Sequence, residues 1–292
     1  MNGPILVFGR SGQVAQELAL LSRRVDRAMV FAGRETLDLA DHAAIDGLIA
    51  RLDPGAVINA AAYTAVDKAE SETDAAYALN RDAPAAMAAA CAARGLPFVH
   101  FSTDYVFDGG LDRPYVETDA TGPTGVYGAS KLAGEQAVAA AGGVSATLRT
   151  SWVYSRHGAN FVKTMLRLAG DRDEVGVVAD QVGRPTWARD CAEGALAALD
   201  HLAAGTAPGG VYHLSGAGDA SWADLAEAVF ELSRARGGPT ARVRRITTAD
   251  YPTPARRPAN SRLDCGKLET AMIWRARDWR ESLATCLSEM EL

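Results

Sequence analysis

The sequence predicts an α/β fold, a doubly wound parallel β-sheet with a smaller C-terminal part, and three observations predict it. Short apolar runs alternate with longer amphipathic stretches through the first half of the chain. The runs lack the in-out alternation of a half-buried strand, as expected when helices cover both faces of a sheet. The stretches between them are rich in Ala, Leu and Arg, which favour helix. The resulting β-α-β-α order calls for parallel strands.

Taken in order, strands are predicted at residues 4–9 (PILVFG), 28–32 (AMVFA), 56–60 (AVINA) and 96–102 (LPFVHFS). A further strand is expected at 145–151, after a helix that begins near Tyr127, and another at 211–215 (VYHLS), after an Ala-Pro-Gly-Gly turn. Beyond Trp152 the pattern loosens and Pro, Gly and Arg increase, as in residues 181–186 (QVGRPT) and 251–258 (YPTPARRP). Residues 153–292 are therefore expected to form mainly a smaller, loop-rich part over the sheet's carboxyl edge. Segments near 187–215 are expected to return to the first part, residues 1–152. No internal repeat or low-complexity linker interrupts the chain.

With 292 residues, 48% hydrophobic and 23% charged, disordered and fibrous classes are excluded. A net charge of −6 without a basic stripe argues against nucleic acid as a partner. No window approaches the roughly 18 uninterrupted apolar residues of a membrane span, and residues 1–10 read as strand and turn rather than a secretion signal. A cytoplasmic protein with no membrane partner is expected. Cys91, Cys191, Cys265 and Cys286 lack disulfide or zinc spacing, so plain thiols and no metal site are expected. Only four of the 30 basic residues are lysines, Lys68, Lys131, Lys163 and Lys267, which invites a chemical reason for each.

One such reason lies downstream of a nucleotide signature. Gly9-Arg10-Ser11-Gly12-Gln13-Val14-Ala15 joins the first strand to the first helix. Small residues at Gly9, Gly12 and Ala15 suit a tight turn, close approach to a pyrophosphate and close helix-strand packing, and the helix start offers free N–H groups to phosphate. A plain strand-to-helix turn would need glycine too, but the position at the head of an alternating chain favours a Rossmann-like dinucleotide site. After the second strand stands Gly33-Arg34 where NAD-preferring folds place an acid, so NADPH is expected, with NADH still open. Asp38 and Leu39 are candidates beside adenine, and Asp41 suits a helix cap. Tyr127 and Lys131, four apart on one helix face, can form an acid-base pair in which the cation lowers the phenol's proton affinity. Thr103 ends a strand at the carboxyl edge, where a hydroxyl can meet a substrate carbonyl.

Residues 59–70 (NAAAYTAVDKAE), 102–108 (STDYVFD), 126–135 (VYGASKLAGE), 149–154 (RTSWVY), 180–186 (DQVGRPT) and 257–264 (RPANSRLD) occur in an order that closely resembles the extended short-chain dehydrogenase/reductase superfamily, and within it the dTDP-4-dehydrorhamnose reductase family. The resemblance covers nearly the whole chain. It implies a catalytic set of Thr103, Tyr127 and Lys131. Implied cofactor contacts are Gly12, Gln13 and Val14 at the pyrophosphate, Asp38 and Leu39 near adenine, and Ala60, Ala61, Ala62, Tyr63 and Thr64 along the dinucleotide, with Tyr127 and Lys131 at its reactive end. Thr103, Asp104, Tyr105 and Trp152 match sugar-contacting positions, Trp152 through its ring face. The substrate implied is a dTDP-linked 4-keto-6-deoxy sugar. Gln181, Arg256 and Arg257 are candidates for nucleobase or diphosphate contacts.

Lys68 and Glu70 read as a structural pair at the turn after the third strand, and the five histidines as packing or surface residues. Departures from the family pattern are the missing acid at Gly33 and Gly125 in place of a common Asn. Some members hold Mg²⁺ at a dimer interface through acids of which Glu17 matches one; no metal ligand set is assigned, and monomer and homodimer both remain open. Two other functions share these residues: another nucleotide-sugar reductase or epimerase, and a noncatalytic subunit resembling the regulatory subunit of methionine adenosyltransferase.

Overall fold

The apolar runs become one parallel sheet. In a computed structural model of the chain, which describes residues 3–24 and 27–291, the strands are β1 (Ile5–Phe8), β2 (Met29–Ala32), β3 (Ala56–Asn59), β4 (Phe98–Thr103), β5 (Ser145–Thr150) and the strand Gly210–His213. Their order across the sheet is Gly210–His213, β5, β4, β3, β1, β2, all parallel. The predicted fold class is thus observed, each strand within one or two residues of its expected place; Met1, Asn2 and Leu292, at the ends of the two expected parts, lie outside the described residues.

The reason the strands are apolar throughout is visible in β1. Ile5 and Val7 point into one helix layer with Leu18, Ile58, Val99, Leu148, Cys191 and Leu199, whereas Leu6 and Phe8 enter the other with Ile45, Ile49, Val57, Met87 and Val138. All four residues of β1 are buried. Helix α1 (Gln13–Leu21) and helix Ala188–Ala204 cover the first face; α2 (His42–Leu52), Ala83–Arg94 and Val126–Ala140 cover the second. At about 1.5–3 kcal/mol for each fully buried large apolar side chain, this two-sided burial is the main force holding six short strands together.

A second apolar core belongs to later residues alone. Tyr154, Val162, Val177, Trp187, Val229, Phe230, Trp279 and Leu283 pack together. Around them stand helices Phe161–Ala169, Trp222–Arg234 and Trp279–Ser288 and a parallel pair, Glu174–Val178 with Arg242–Ile246. A small mixed sheet joins Ala220–Ser221, Val182–Gly183 and Asn260–Ser261. Among the described residues no helix is long and apolar enough to cross a membrane.

The strand order changes direction between β1 and β3: the chain leaves β1 toward β2 on one side, then resumes at β3 on the other. Doubly wound sheets open a crevice beyond the strand ends at such a point.

Candidate active site

The crevice is lined by the two predicted strand-end segments. Gly9 has φ +115°, and a Cβ there would lie 3.1 Å from the carbonyl carbon and oxygen of Ala60. Only glycine meets both demands. Helix α1 then starts at Gln13 after an extended Gly12, with no side chain capping its first N–H groups. Those donors, and a Gly12 whose Cβ would meet only the Ala60 oxygen at 3.7 Å, suit a diphosphate. Val14 packs inward against the sheet. The Gln13 side chain accepts from Asn160 Nδ2 (2.9 Å) and reaches the Val153 carbonyl (3.5 Å), so it ties the helix start to the later part of the chain and leaves the backbone N–H for a phosphate.

Ala60, Ala61, Ala62, Tyr63 and Thr64 continue from β3 over the sheet edge. The Asn59 side chain accepts from the Ala61 N–H (3.0 Å), and buried Asn80 holds Tyr63 from both sides, accepting from its N–H (2.9 Å) and donating to its carbonyl (3.1 Å). Asn80 also donates to the Ser130 hydroxyl (3.0 Å), which couples this segment to the helix carrying Tyr127. Sequence reasoning missed Asn80; an isolated Asn in an Ala-rich helical stretch was its only signal.

At the end of β2, Arg34 is exposed. Asp38 accepts from the Ala40 N–H (3.0 Å), Leu39 packs on the apolar layer beneath, and Asp41 caps α2 as predicted. The expected lack of an acid at this corner needs correction. The turn after Gly33 brings the Glu35 carboxylate back over Gly33, and Arg10 of the phosphate turn pairs with it at 2.7 Å. The Arg10 hydrogen bond holds that carboxyl below the usual range.

Thr103 closes β4, buried. Its hydroxyl donates to Asp104 (3.0 Å) and accepts from the Tyr105 N–H (3.2 Å). The Tyr105 ring meets the Tyr127 ring edge-on, 5.5 Å between centroids. Burial pushes buried Asp104 up to about 6, with hydrogen bonds from Ser261 and Thr103 opposing.

Tyr127 stands on the first turn of helix Val126–Ala140, whose N-cap, Gly125, has no side chain to offer. Glu70 supplies the cap from outside, accepting from the Val126 N–H at 2.9 Å. Glu70 is therefore structural, as expected, but its partner is the start of the helix carrying Tyr127 rather than Lys68. The neighbouring Asp67 pairs with Arg257 at 2.9 Å.

Lys131 is buried one turn on; its ammonium donates to the Phe101 carbonyl (2.6 Å) and lies 3.5 Å from His100 Nε2. Burial pulls it down to about 8. The expected lowering of the phenol by this cation is not seen. Burial, together with Asp104 and Tyr105, pushes Tyr127 above the ordinary phenol range, with the Thr103 hydrogen bond opposing. The lysine amine is directed to β4 rather than to the phenol.

Trp152 follows β5 at the same edge with φ +49°. Its indole is covered by Trp222 on one side and Gly183 on the other, so the open ring face anticipated for a sugar is already occupied. Gln181 is likewise engaged, with Trp222 Nε1 (3.1 Å) and Thr248 Oγ1 (3.0 Å), and the Arg256 side chain is exposed while its carbonyl accepts from Thr124 (3.4 Å).

Glu17 does not suit a metal. Its carboxylate is buried against the Arg189 guanidinium (2.9 Å) and the Ser155 hydroxyl (3.1 Å), and Arg189 also clamps Glu289 (2.6 Å). A fixed cation already lies between the two acids. All four cysteines are free thiols. His100 and His213 are buried packing residues, with burial lowering the proton affinity of each.

A family model described as the RmlD substrate binding domain matches residues 1–292. The chain is 49% identical over 281 residues to the dTDP-4-dehydrorhamnose reductase of Sinorhizobium fredii, covering 95% of this chain and 94% of that one. To the protein of the same name from Escherichia coli it is 40% identical over 291 residues, covering 98% and 97%. The crystal structure of the Bacillus anthracis dTDP-4-dehydrorhamnose reductase in complex with NADP superimposes with a TM-score of 0.92 at 32% identity, covering 99% of this chain and 100% of that one. The chain therefore belongs to the RmlD family, that of the dTDP-4-dehydrorhamnose reductases.

Proposed function

We propose that this protein reduces the C4 ketone of dTDP-4-dehydro-L-rhamnose to the alcohol of dTDP-L-rhamnose, with NADPH as reductant. The observation that carries the reading is the placement of Thr103 at the end of β4, and of Tyr127 and Lys131 on helix Val126–Ala140, whose Lys131 bonds that strand at Phe101, in a sheet that also presents the bare start of α1. The names of its relatives agree.

Bound reduced nicotinamide supplies a hydride to the ketone carbon. The chain's own residues manage the oxygen. Tyr127 gives its phenolic proton to the developing alkoxide, so the C–O double bond becomes an alcohol and the phenolate is left to regain a proton from water. A phenol whose proton is held tightly by burial is a poor acid until negative charge develops beside it, which confines the transfer to the reacting oxygen. Thr103, whose hydroxyl donates to Asp104 in the structure, turns to hydrogen-bond the ketone. Lys131, fixed by Phe101, holds the nicotinamide ribose. Residues 1–152 hold the dinucleotide and residues 153–292 mainly supply the sugar side. Arg34 and Arg10 favour the 2′-phosphate, and Glu35 opposes it.

The test mixes purified protein with dTDP-4-keto-6-deoxy-L-mannose, generated in place by its epimerase, and NADPH, and follows nicotinamide absorbance and product. Oxidation yielding dTDP-L-rhamnose is expected. Tyr127→Phe should lower turnover by on the order of 10² while NADPH still binds. Wild-type turnover in that variant would remove Tyr127 from the proton path.

A further inference from the structure

A left-handed backbone such as that of Trp152 (φ +49°) is one a bulky residue leaves unless its surroundings hold it. Here both indole faces are held. On one side Trp222 stacks on it, 3.6 Å between centroids and 9° from parallel. On the other lies Gly183. A Cβ added there would stand 2.5 Å from Cε2 and 2.8 Å from both Cζ2 and Nε1 of Trp152, a point above the ring rather than beside it, so no other residue fits.

Trp222 is itself fixed. Its Nε1 donates to Gln181 Oε1 (3.1 Å), and buried Gln181 donates in turn to Thr248 (3.0 Å). Phe161 leans on its ring at 4.7 Å. Trp222 is also the first residue of helix Trp222–Arg234, whose start is locked by a reciprocal cap between Ser221 and Asp224. The stack therefore ties the sheet edge at Trp152, two residues past β5 and so beside Thr103, to an element of the second apolar core.

We propose that Trp222 is a positioning residue of the sugar site: by covering one face of Trp152 against Gly183, it makes the indole meet the sugar with its edge and holds that edge at a fixed height over the sheet. The inference rests on Trp152 lining the sugar site, as proposed above. It adds a residue that touches neither cofactor nor sugar and acts only through its neighbour.

The test uses Trp222→Ala and Trp222→Phe in the full chain. Indoles this close couple through their strong far-ultraviolet transition, so wild-type protein should show an exciton couplet in far-ultraviolet circular dichroism that both variants lose. In Trp222→Ala the KM for the dTDP-keto sugar should rise about 3- to 10-fold, the range an aromatic pair commands, while kcat and the Kd for NADPH stay within about twofold of wild type. Trp222→Phe, which can still stack, should recover most of the KM. A Trp222→Ala protein that loses the couplet and keeps the wild-type KM overturns the proposal, as does one whose NADPH affinity falls in step with its KM. If the wild type reduces no dTDP-linked keto sugar, the functional reading falls and takes this one with it. An active wild type matched by Trp222→Ala sinks the Trp222 role alone.

Discussion

Asn80 is the buried group that joins the segment after β3 to the helix carrying Tyr127, and Asn80→Ala should expose that dependence. Three hydrogen bonds disappear at once: two to the Tyr63 backbone and one to Ser130. Each contributes about 1 kcal/mol net, and the partners left behind at Tyr63 lie in a half-buried segment where lost pairing is only partly replaced by water. Ser130 is less harmed, because its hydroxyl still donates to the Tyr127 carbonyl at 2.8 Å. The loss works out at about 3–4 kcal/mol, or a fall of roughly 6–12 °C in Tm for a chain of this size. Because Tyr63 and Thr64 run along the proposed dinucleotide site, NADPH should also bind about tenfold more weakly, at roughly 1.4 kcal/mol for each decade. Thermal unfolding with and without NADPH measures both effects. A variant melting within 2 °C of wild type, with unchanged NADPH affinity, would refute the reasoning and reduce Asn80 to filler.

Asp104 makes a prediction whose sign is set by burial. Its carboxyl keeps a proton up to about 6, above the range of an exposed carboxyl, so between about pH 4 and 6 the native state binds more protons than the unfolded one, and this residue's contribution to stability falls as pH rises. Asp104→Asn should therefore be more stable than wild type by about 2–3 kcal/mol at pH 7.5 and nearly equal to it at pH 4; urea midpoints showing a constant gap at both pH values would contradict this. Arg34→Ala should weaken NADPH much more than NADH, and Glu35→Gln should shift preference toward NADPH by about tenfold, because it removes a carboxylate from the corner where a 2′-phosphate would lie. Cofactor titrations in which both variants change the two nucleotides equally would rule out this corner as the reader. Arg189→Met leaves Glu17 and Glu289 facing each other in a buried site, and should lower stability by about 3–5 kcal/mol while creating a Tm that rises with added Mg²⁺. A variant indifferent to Mg²⁺ would show that the guanidinium does more than occupy a cation's place.

Much of the site was legible because its residues act through local geometry. Gly9 is required by a turn, and Tyr127 and Lys131 share a helix face by spacing alone. Thr103 ends a run of apolar residues that could only be a buried strand. What escaped the sequence lay in long-range partners. Glu70 reaches across 56 positions to cap the helix that Gly125 leaves bare, and Asn80 across 50 to Ser130. The direction of the Lys131 amine was misjudged for a similar reason. Spacing puts a lysine near a tyrosine, but the carbonyl of Phe101, on strand β4, decides where the amine points.

The linear chain by itself determined the sheet, the glycine turn after β1 and the placing of Tyr127 and Lys131 four apart on one helix, because hydrophobic period, glycine and short-range spacing act within a few residues of one another. The tertiary structure alone decided which groups are charged, covered or free. Arg189 lies between two acids, Glu35 returns over Gly33, and Trp152 is closed on both faces by residues 31 and 70 positions away. Burial and pairing are properties of neighbours in space, and folding brings those neighbours from elements that no local pattern connects.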